Sequence, residues 1–161
     1  MLKKVRVVRV NDGDTVTVRA RGRDRKGLFS LRSLLGTTER VRLIGIDAPE
    51  LYQDPWGRQA KKYLKKLLSE NDWLVDIELD VEHRDKYGRL LAYLWGKDGR
   101  MINERMLEAG YAVLFTIPPN VKYAERFVAA QKRAEALRAG IWKNGGLRES
   151  PYEWRKRHPR T

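Results

Sequence analysis

The chain contains no cysteine, which removes any disulfide framework and any thiolate metal site. Histidine is scarce: His83 falls in a loop-like stretch and His158 near the C-terminus, and neither stands in a metal-ligand spacing. A zinc centre and a two-histidine acid–base pair therefore lack residues. No apolar run approaches the roughly 20 residues that span a bilayer, so no membrane partner is expected. The opening stretch, MLKKVRVVRVNDGDT, has basic residues but not the apolar core of about 7–15 residues that marks a secretory leader. A cytoplasmic location is the expectation, or a secreted one if a leader has been removed. Neither GxxxxGK(S/T) nor GxGxxG occurs, and no serine sits in a nucleophile elbow, so those routes to nucleotide cradling and acyl transfer are unsupported.

Basic charge is present in excess. The 161 residues are 34% charged and 42% hydrophobic, with five Trp, seven Tyr and a net charge of +13. That is enough apolar material for one compact domain, and the charge points to an anionic partner, nucleic acid being the commonest. A basic scaffold protein satisfies the same composition.

The first third reads as strands. VRVVRV (Val5–Val10) and TVTVRA (Thr15–Ala20) are rich in β-branched residues and flank the turn signal NDGD, which predicts a hairpin. A basic excursion over Arg21–Glu39 precedes a third strand, Val41–Ile46. The period then becomes helical: Ala60, Tyr63, Leu64, Leu67 and Leu68 share one face of PWGRQAKKYLKKLLSEN, with lysines opposite. Alternation returns over Trp73–Val81, and LLAYLWG (Leu90–Gly96) gives a fifth strand. INERMLEAG predicts a short helix stopped at Gly110, and YAERFVAAQKRAEALRAG a long one stopped at Gly140. The expected fold is α+β with a mainly β core, a five-stranded OB-type barrel decorated by about three helices. The segment Lys143–Thr161, with six Lys or Arg and two Glu, reads as a loosely ordered solubilising extension, with an electrostatic arm for nucleic acid as the alternative.

Oxygen ligands and arginines remain as carriers of chemistry. Asp12 and Asp14 flank Gly13 in the first turn. RLIGIDAPE carries Arg42 into the third strand and leaves through Asp47 and Glu50, and Arg89 ends the loop RDKYGR. In an antiparallel sheet the start of strand two lies near the end of strand three, so Asp14 and Asp47 are expected to converge. Two carboxylates with a backbone carbonyl and water suit a hard cation such as Ca²⁺ or Mg²⁺. Guanidinium groups match the oxygens of a phosphodiester transition state, and a further carboxylate can orient or deprotonate the attacking water. Each piece also has a plain reading: an ordinary turn for NDGD, a strand exit for DAPE, a surface pair between Arg42 and Glu39, a hairpin loop for DKYGR.

Four ordered stretches, NDGDTVTV, RVRLIGIDAPE, DKYGRLLAYLW and INERMLEAGYAV, resemble the motifs of the staphylococcal nuclease (thermonuclease) family. The likeness runs from about Val5 to Trp142. It divides the chain into a nuclease-like domain over residues 1–142 and a basic extension over 143–161. The resemblance implies an OB-fold barrel with three helices and a Ca²⁺-dependent phosphodiesterase acting on DNA and RNA. By residue, it implies Asp14, Asp47 and the main-chain carbonyl of Ala48 as calcium ligands, with Mg²⁺ or another divalent ion as the alternative. It further implies Glu50 acting on the water, Arg42 and Arg89 on the scissile phosphate, Lys86 and Tyr87 on a nucleotide phosphate, and 3′-phosphate ends. The family's tyrosine pair is replaced by Thr116 and Pro118, leaving Phe115 or Tyr123 as candidates for stacking on a base. A non-catalytic nucleic-acid- or protein-binding module on the same fold is the competing reading; a monomer is slightly favoured.

Overall fold

The computed structural model describes residues 1–19 and 38–159; the basic excursion expected over Arg21–Glu39 lies almost wholly outside the described residues. Strands β1 (Leu2–Asp12) and β2 (Thr15–Arg19) form the expected hairpin, with Val7 opposite Val18 and Val10 opposite Val16. Two register shifts in β1, between Val7 and Arg9 and between Val10 and Asp12, bend the strand. One half of β1 thereby pairs with β2, while the other pairs with β5 (Leu74–Glu78), Val5 opposite Val75. β3 (Thr38–Leu43) continues antiparallel to β2, and β6 (Leu90–Gly96) runs parallel to β3 and antiparallel to β5. The order β1-β2-β3-β6-β5 closes on itself, so the barrel has no free edge along these strands. Its interior is aliphatic, with Val16, Val18, Val41 and Ile77 fully buried. The fold is α+β, an OB-type barrel, as expected.

The third strand differs from its expected course. Val41–Ile46 is broken at Ile44, and β4 (Gly45–Asp47) turns away to pair with β7 (Val113–Phe115) in a separate two-stranded sheet. Gly45 makes the break, with φ of +82° and the Phe127 ring packed against it; a Cβ there would stand 2.4 Å from Phe127 Cε2. The fourth expected strand stops at Glu78 rather than Val81.

Helix α1 (Trp56–Glu70) buries Ala60, Leu64, Leu67 and Leu68 as its periodicity predicts. Tyr63 is half-buried and stacks on Tyr111 at 4.9 Å between ring centroids. Helix α2 (Ile102–Glu108) ends before Gly110, whose φ is +73°. Helix α3 (Ala124–Ala136) ends four residues short of Gly140, since Arg138 has already left helical geometry at φ +51°. A 3₁₀ turn over Gly140–Asn144 leads to a fourth helix, α4 (Pro151–Arg157). The loosely ordered reading of the C-terminal segment is thus corrected. Ser150 caps α4, its hydroxyl accepting from the Glu153 N–H at 3.1 Å while the Glu153 carboxylate accepts from the Ser150 N–H at 2.9 Å. Pro151 occupies the first helical turn.

Candidate active site

The break at Gly45 builds the site. Asn103, fully buried on α2, donates through Nδ2 to the carbonyls of Ile44 (2.9 Å) and Ala92 (3.2 Å) and accepts from Leu94 N–H. The bend is thereby fixed to β6. On the other side, the Leu43 N–H donates to the Asp14 carbonyl at 2.8 Å, tying the first turn to the end of β3. Asp14 and Asp47 converge from these two directions, and Arg42 lies between them: its Nη2 stands 3.4 Å from Asp14 Oδ2 and 3.3 Å from Asp47 Oδ1. The surface pair with Glu39 is made by Arg84 instead.

Both aspartates are buried, Asp47 with only 2% of its side chain exposed. Asp14 Oδ2 accepts the Ala48 N–H at 2.8 Å and Oδ1 the Thr15 hydroxyl at 3.0 Å. Burial works to raise its pKa, but the charge of Arg42 and these hydrogen bonds outweigh it, and the carboxyl is held below the ordinary range. Asp12 moves the other way: burial first, then the charge of Asp14, push it up to about 8. Asp47 is also raised by burial, with Arg155 and Arg42 opposing.

Glu50 sits just beyond Asp47 at the rim. Sequence reasoning missed its neighbour. Arg155 of α4 forks onto Asp47, Nη1 to Oδ1 and Nη2 to Oδ2, both at 2.9 Å, and its Nη1 also donates to Glu50 Oε1 at 3.0 Å. Gln53 joins the same two segments, accepting the Glu50 N–H at 3.2 Å and donating to the Glu149 carbonyl at 2.7 Å. The signal that finds Arg155 is the capping box Ser150-Pro151-Tyr152-Glu153, a helix start in a stretch otherwise read by its charge alone.

Arg89, Lys86 and Tyr87 are not brought into contact with the carboxylates. They occupy the loop before β6, organised by Asp85, which accepts the N–H groups of Tyr87 and Arg89 at 2.9 Å each and Arg89 Nε at 2.7 Å. Arg89 is nonetheless on the same outer face as Arg42: buried Leu90 separates it from Leu91, which lies opposite Arg42 in the β3–β6 ladder. Asp85 leaves both Nη nitrogens of Arg89 without a hydrogen-bond partner among the described residues, and the guanidinium lies over the Tyr87 ring, 5.4 Å from its centroid. Tyr87 is 72% exposed, with Lys86 Nζ 5.1 Å from its ring centroid. Tyr123 is not available for stacking on a base. Its hydroxyl is bound to Glu78 and its ring packs edge-on against Tyr93 and Trp95.

Asp14, Asp47 and the backbone after Asp47 offer oxygen donors only, the chemistry a hard cation takes. Among the described residues no group of three or more acidic or histidine side chains is arranged to hold an ion; the lone pairs of Asp47 are turned to Arg42 and Arg155, and those of Asp14 to Arg42, the Ala48 N–H and the Thr15 hydroxyl. The residues fit a cation in kind, and holding one requires some of these guanidinium bonds to be exchanged.

Fold and site together define the class: a closed OB-type barrel carrying a carboxylate–guanidinium centre where its third strand breaks. Residues 40–144 match the family model described as staphylococcal nuclease homologue. The chain is 36% identical over 145 residues to the thermonuclease of Staphylococcus hyicus, covering 86% of this chain and 75% of that protein. With the thermonuclease of Staphylococcus intermedius the identity is 38% over 141 residues, 84% and 74% of the two chains. Endonuclease YhcR of Bacillus subtilis is 34% identical over 164 residues, 94% of this chain but 12% of its own length. The chain belongs to the staphylococcal nuclease family. Helix α4 follows the matched region.

Proposed function

We propose that the chain is a divalent-metal-dependent nuclease that hydrolyses phosphodiester bonds of DNA or RNA and leaves 3′-phosphate ends. The convergence of Asp14 and Asp47 on either side of Arg42, with Glu50 at the rim, carries the reading. Asp14, Asp47 and the Ala48 carbonyl would hold Ca²⁺, or Mg²⁺ in its place, and such an ion would neutralise the carboxylates and polarise a phosphodiester oxygen. Glu50 accepts the proton of the attacking water at its carboxylate. Arg89, its Nε fixed by Asp85, presents its two free nitrogens to the phosphate, a planar fork that matches two oxygens. Arg42 adds charge from beneath, and Lys86 and Tyr87 contact a neighbouring nucleotide phosphate.

A polyanionic substrate is further supported by a groove of about 370 Å³ beginning at Leu51 and Tyr52, next to Glu50, and lined by Arg58, Lys61, Lys62 and Lys65 of α1. Like charges three and four residues apart on a helix cost about 0.2–0.5 kcal/mol per pair. Among the described residues only Arg58 has a carboxylate there, Asp54 at 3.6 Å. Tyr52, 77% exposed, offers a ring to a base.

The test is cleavage of single-stranded DNA, duplex DNA and RNA with Ca²⁺, Mg²⁺ or EDTA. Cutting should require the ion, and Glu50→Gln should lower the rate by about 10²–10⁴-fold, the usual contribution of a general base. Salt-sensitive binding without cutting under any condition would favour the non-catalytic module.

A further inference from the structure

Helix α4 carries three consecutive basic residues that do different things. Lys156 lies over the Tyr152 ring, with 4.7 Å from Nζ to the centroid, and Arg157 pairs with Glu149. Both contacts are local to the C-terminal segment. Arg155 alone crosses to the barrel, 35% of its side chain exposed, and it bridges the two carboxylates assigned above to the ion and the water. The segment is tied to the body by the Arg155 bonds to Asp47 and Glu50 and by the Gln53–Glu149 bond, while Trp154 stacks on His158 within the segment itself, 4.0 Å between ring centroids.

The lone pairs of Asp47 decide what this bridge does. Oδ1 accepts from Arg155 at 2.9 Å and from Arg42 at 3.3 Å, which fills the two lone pairs of that oxygen. Oδ2 accepts from the other Arg155 nitrogen. A divalent ion binds carboxylate oxygens at about 2.0–2.6 Å. On Asp47 it would stand against a full guanidinium charge and claim lone pairs already in use. Arg42 is the worse candidate to yield, because it is anchored from beneath by backbone carbonyls, whereas Arg155 enters from solvent on a short helix.

We propose that Arg155 is a residue of this site, an internal counter-cation that bridges Asp47 and Glu50 until a divalent ion takes the same oxygens and lifts α4 from the mouth. The inference rests on the reading of Asp47 as an ion ligand. Bound ion and docked α4 are alternatives, so each weakens the other. Glu50 gives up its bond to Arg155 in the exchange, which couples the state of its carboxylate to occupancy of the ion site.

The test is calorimetric titration of the full chain with Ca²⁺ alone, for wild type, Arg155→Ala, Arg155→Lys and Arg157→Ala. Amide exchange over residues 151–157 is followed with and without the ion. Arg155→Ala should bind Ca²⁺ roughly tenfold more tightly, a typical size for coupling between two binding events. Arg155→Lys should fall between, since one ammonium cannot fork onto both oxygens of Asp47. Arg157→Ala should match wild type, and α4 amides in wild type should exchange faster when Ca²⁺ is added. Equal or weaker affinity in Arg155→Ala, or α4 protection unchanged at saturating Ca²⁺, overturns the proposal and leaves ion binding standing. If none of the four chains binds Ca²⁺, the assignment of Asp47 as a ligand fails, and this proposal with it.

Discussion

Arg42 does more in this fold than the sequence pattern assigns to it. Its Nη1 donates to the carbonyls of Leu43 and Ile46 at 2.8 Å each, closing the bend that Gly45 opens, while Nη2 bridges the two aspartates. Loss of the fork takes a donor from two carbonyls and the shared cation from two buried carboxylates, of which Asp47 keeps Arg155 and Asp14 keeps the Ala48 N–H and the Thr15 hydroxyl, so this residue is structural as well as functional. Arg42→Lys should therefore lower stability by about 1–3 kcal/mol, the scale of hydrogen bonds to charged groups, and lower cleavage with it. Arg89→Lys, in a loop where Asp85 is its only carboxylate partner among the described residues, should lower cleavage at nearly unchanged stability. Thermal midpoints and rates on the same samples check this; equal stability losses in the two variants would remove the distinction. The residues of this corner were legible because a strand and a turn of known period deliver them to one place. Arg155 was not, since a basic stretch reads alike whether it is solvated or docked, and only its capping box says otherwise.

At the scale of elements, hydrophobic period located α1, α2, α3 and the first hairpin, but not where elements stop. The run Leu43-Ile44-Gly45-Ile46 looks like one apolar strand because its break depends on Phe127, distant in sequence and packed on Gly45. The end of β5 has a similar cause. Glu78, at the last position of that strand, accepts from Trp95 Nε1 of β6 at 2.9 Å, from the Tyr123 hydroxyl at 2.9 and 3.1 Å, and from Lys122. One carboxylate thus ties the barrel to the approach of α3. Burial pushes Glu78 up, but the bonds from Lys122, Trp95 and Tyr123 outweigh it, and its pKa lies below the ordinary value of 4.5. The folded state therefore prefers the ionised form more than the unfolded chain does. That contributes stability above the unfolded value, and it is lost as pH falls through the folded one. Glu78→Gln should cost about 1–3 kcal/mol near neutral pH, and the deficit should shrink at a pH well below the ordinary value of 4.5. Denaturant midpoints of both proteins at the two pH values check this, and a deficit independent of pH would assign the role to shape rather than charge.

For the whole molecule, the net charge of +13 is distributed unevenly in its consequences. Several basic side chains are committed to carboxylates: Arg42 and Arg155 to those of the site, and Arg126 and Arg133 at the surface to Glu104. Lys61, Lys62 and Lys65 of α1 are not, and they border the groove that starts beside Glu50. On the proposed function, a strand of nucleic acid whose scissile phosphate lay at Arg42 and Arg89 and which continued past Glu50 would meet these lysines next. Each phosphate neutralised on a single strand contributes about 0.7 to the slope of log affinity against log salt. Changing the three lysines to Gln should thus reduce that slope by roughly 2 for single-stranded DNA, measured on the Glu50→Gln background so that the substrate survives the titration. In the active protein the same changes should raise KM and leave kcat unaltered, because the lysines touch the strand away from the bond being cut and hold ground state and transition state alike. An unchanged slope would mean that the strand leaves the site in another direction, and a fall in kcat would mean that the groove acts on the reacting phosphate itself.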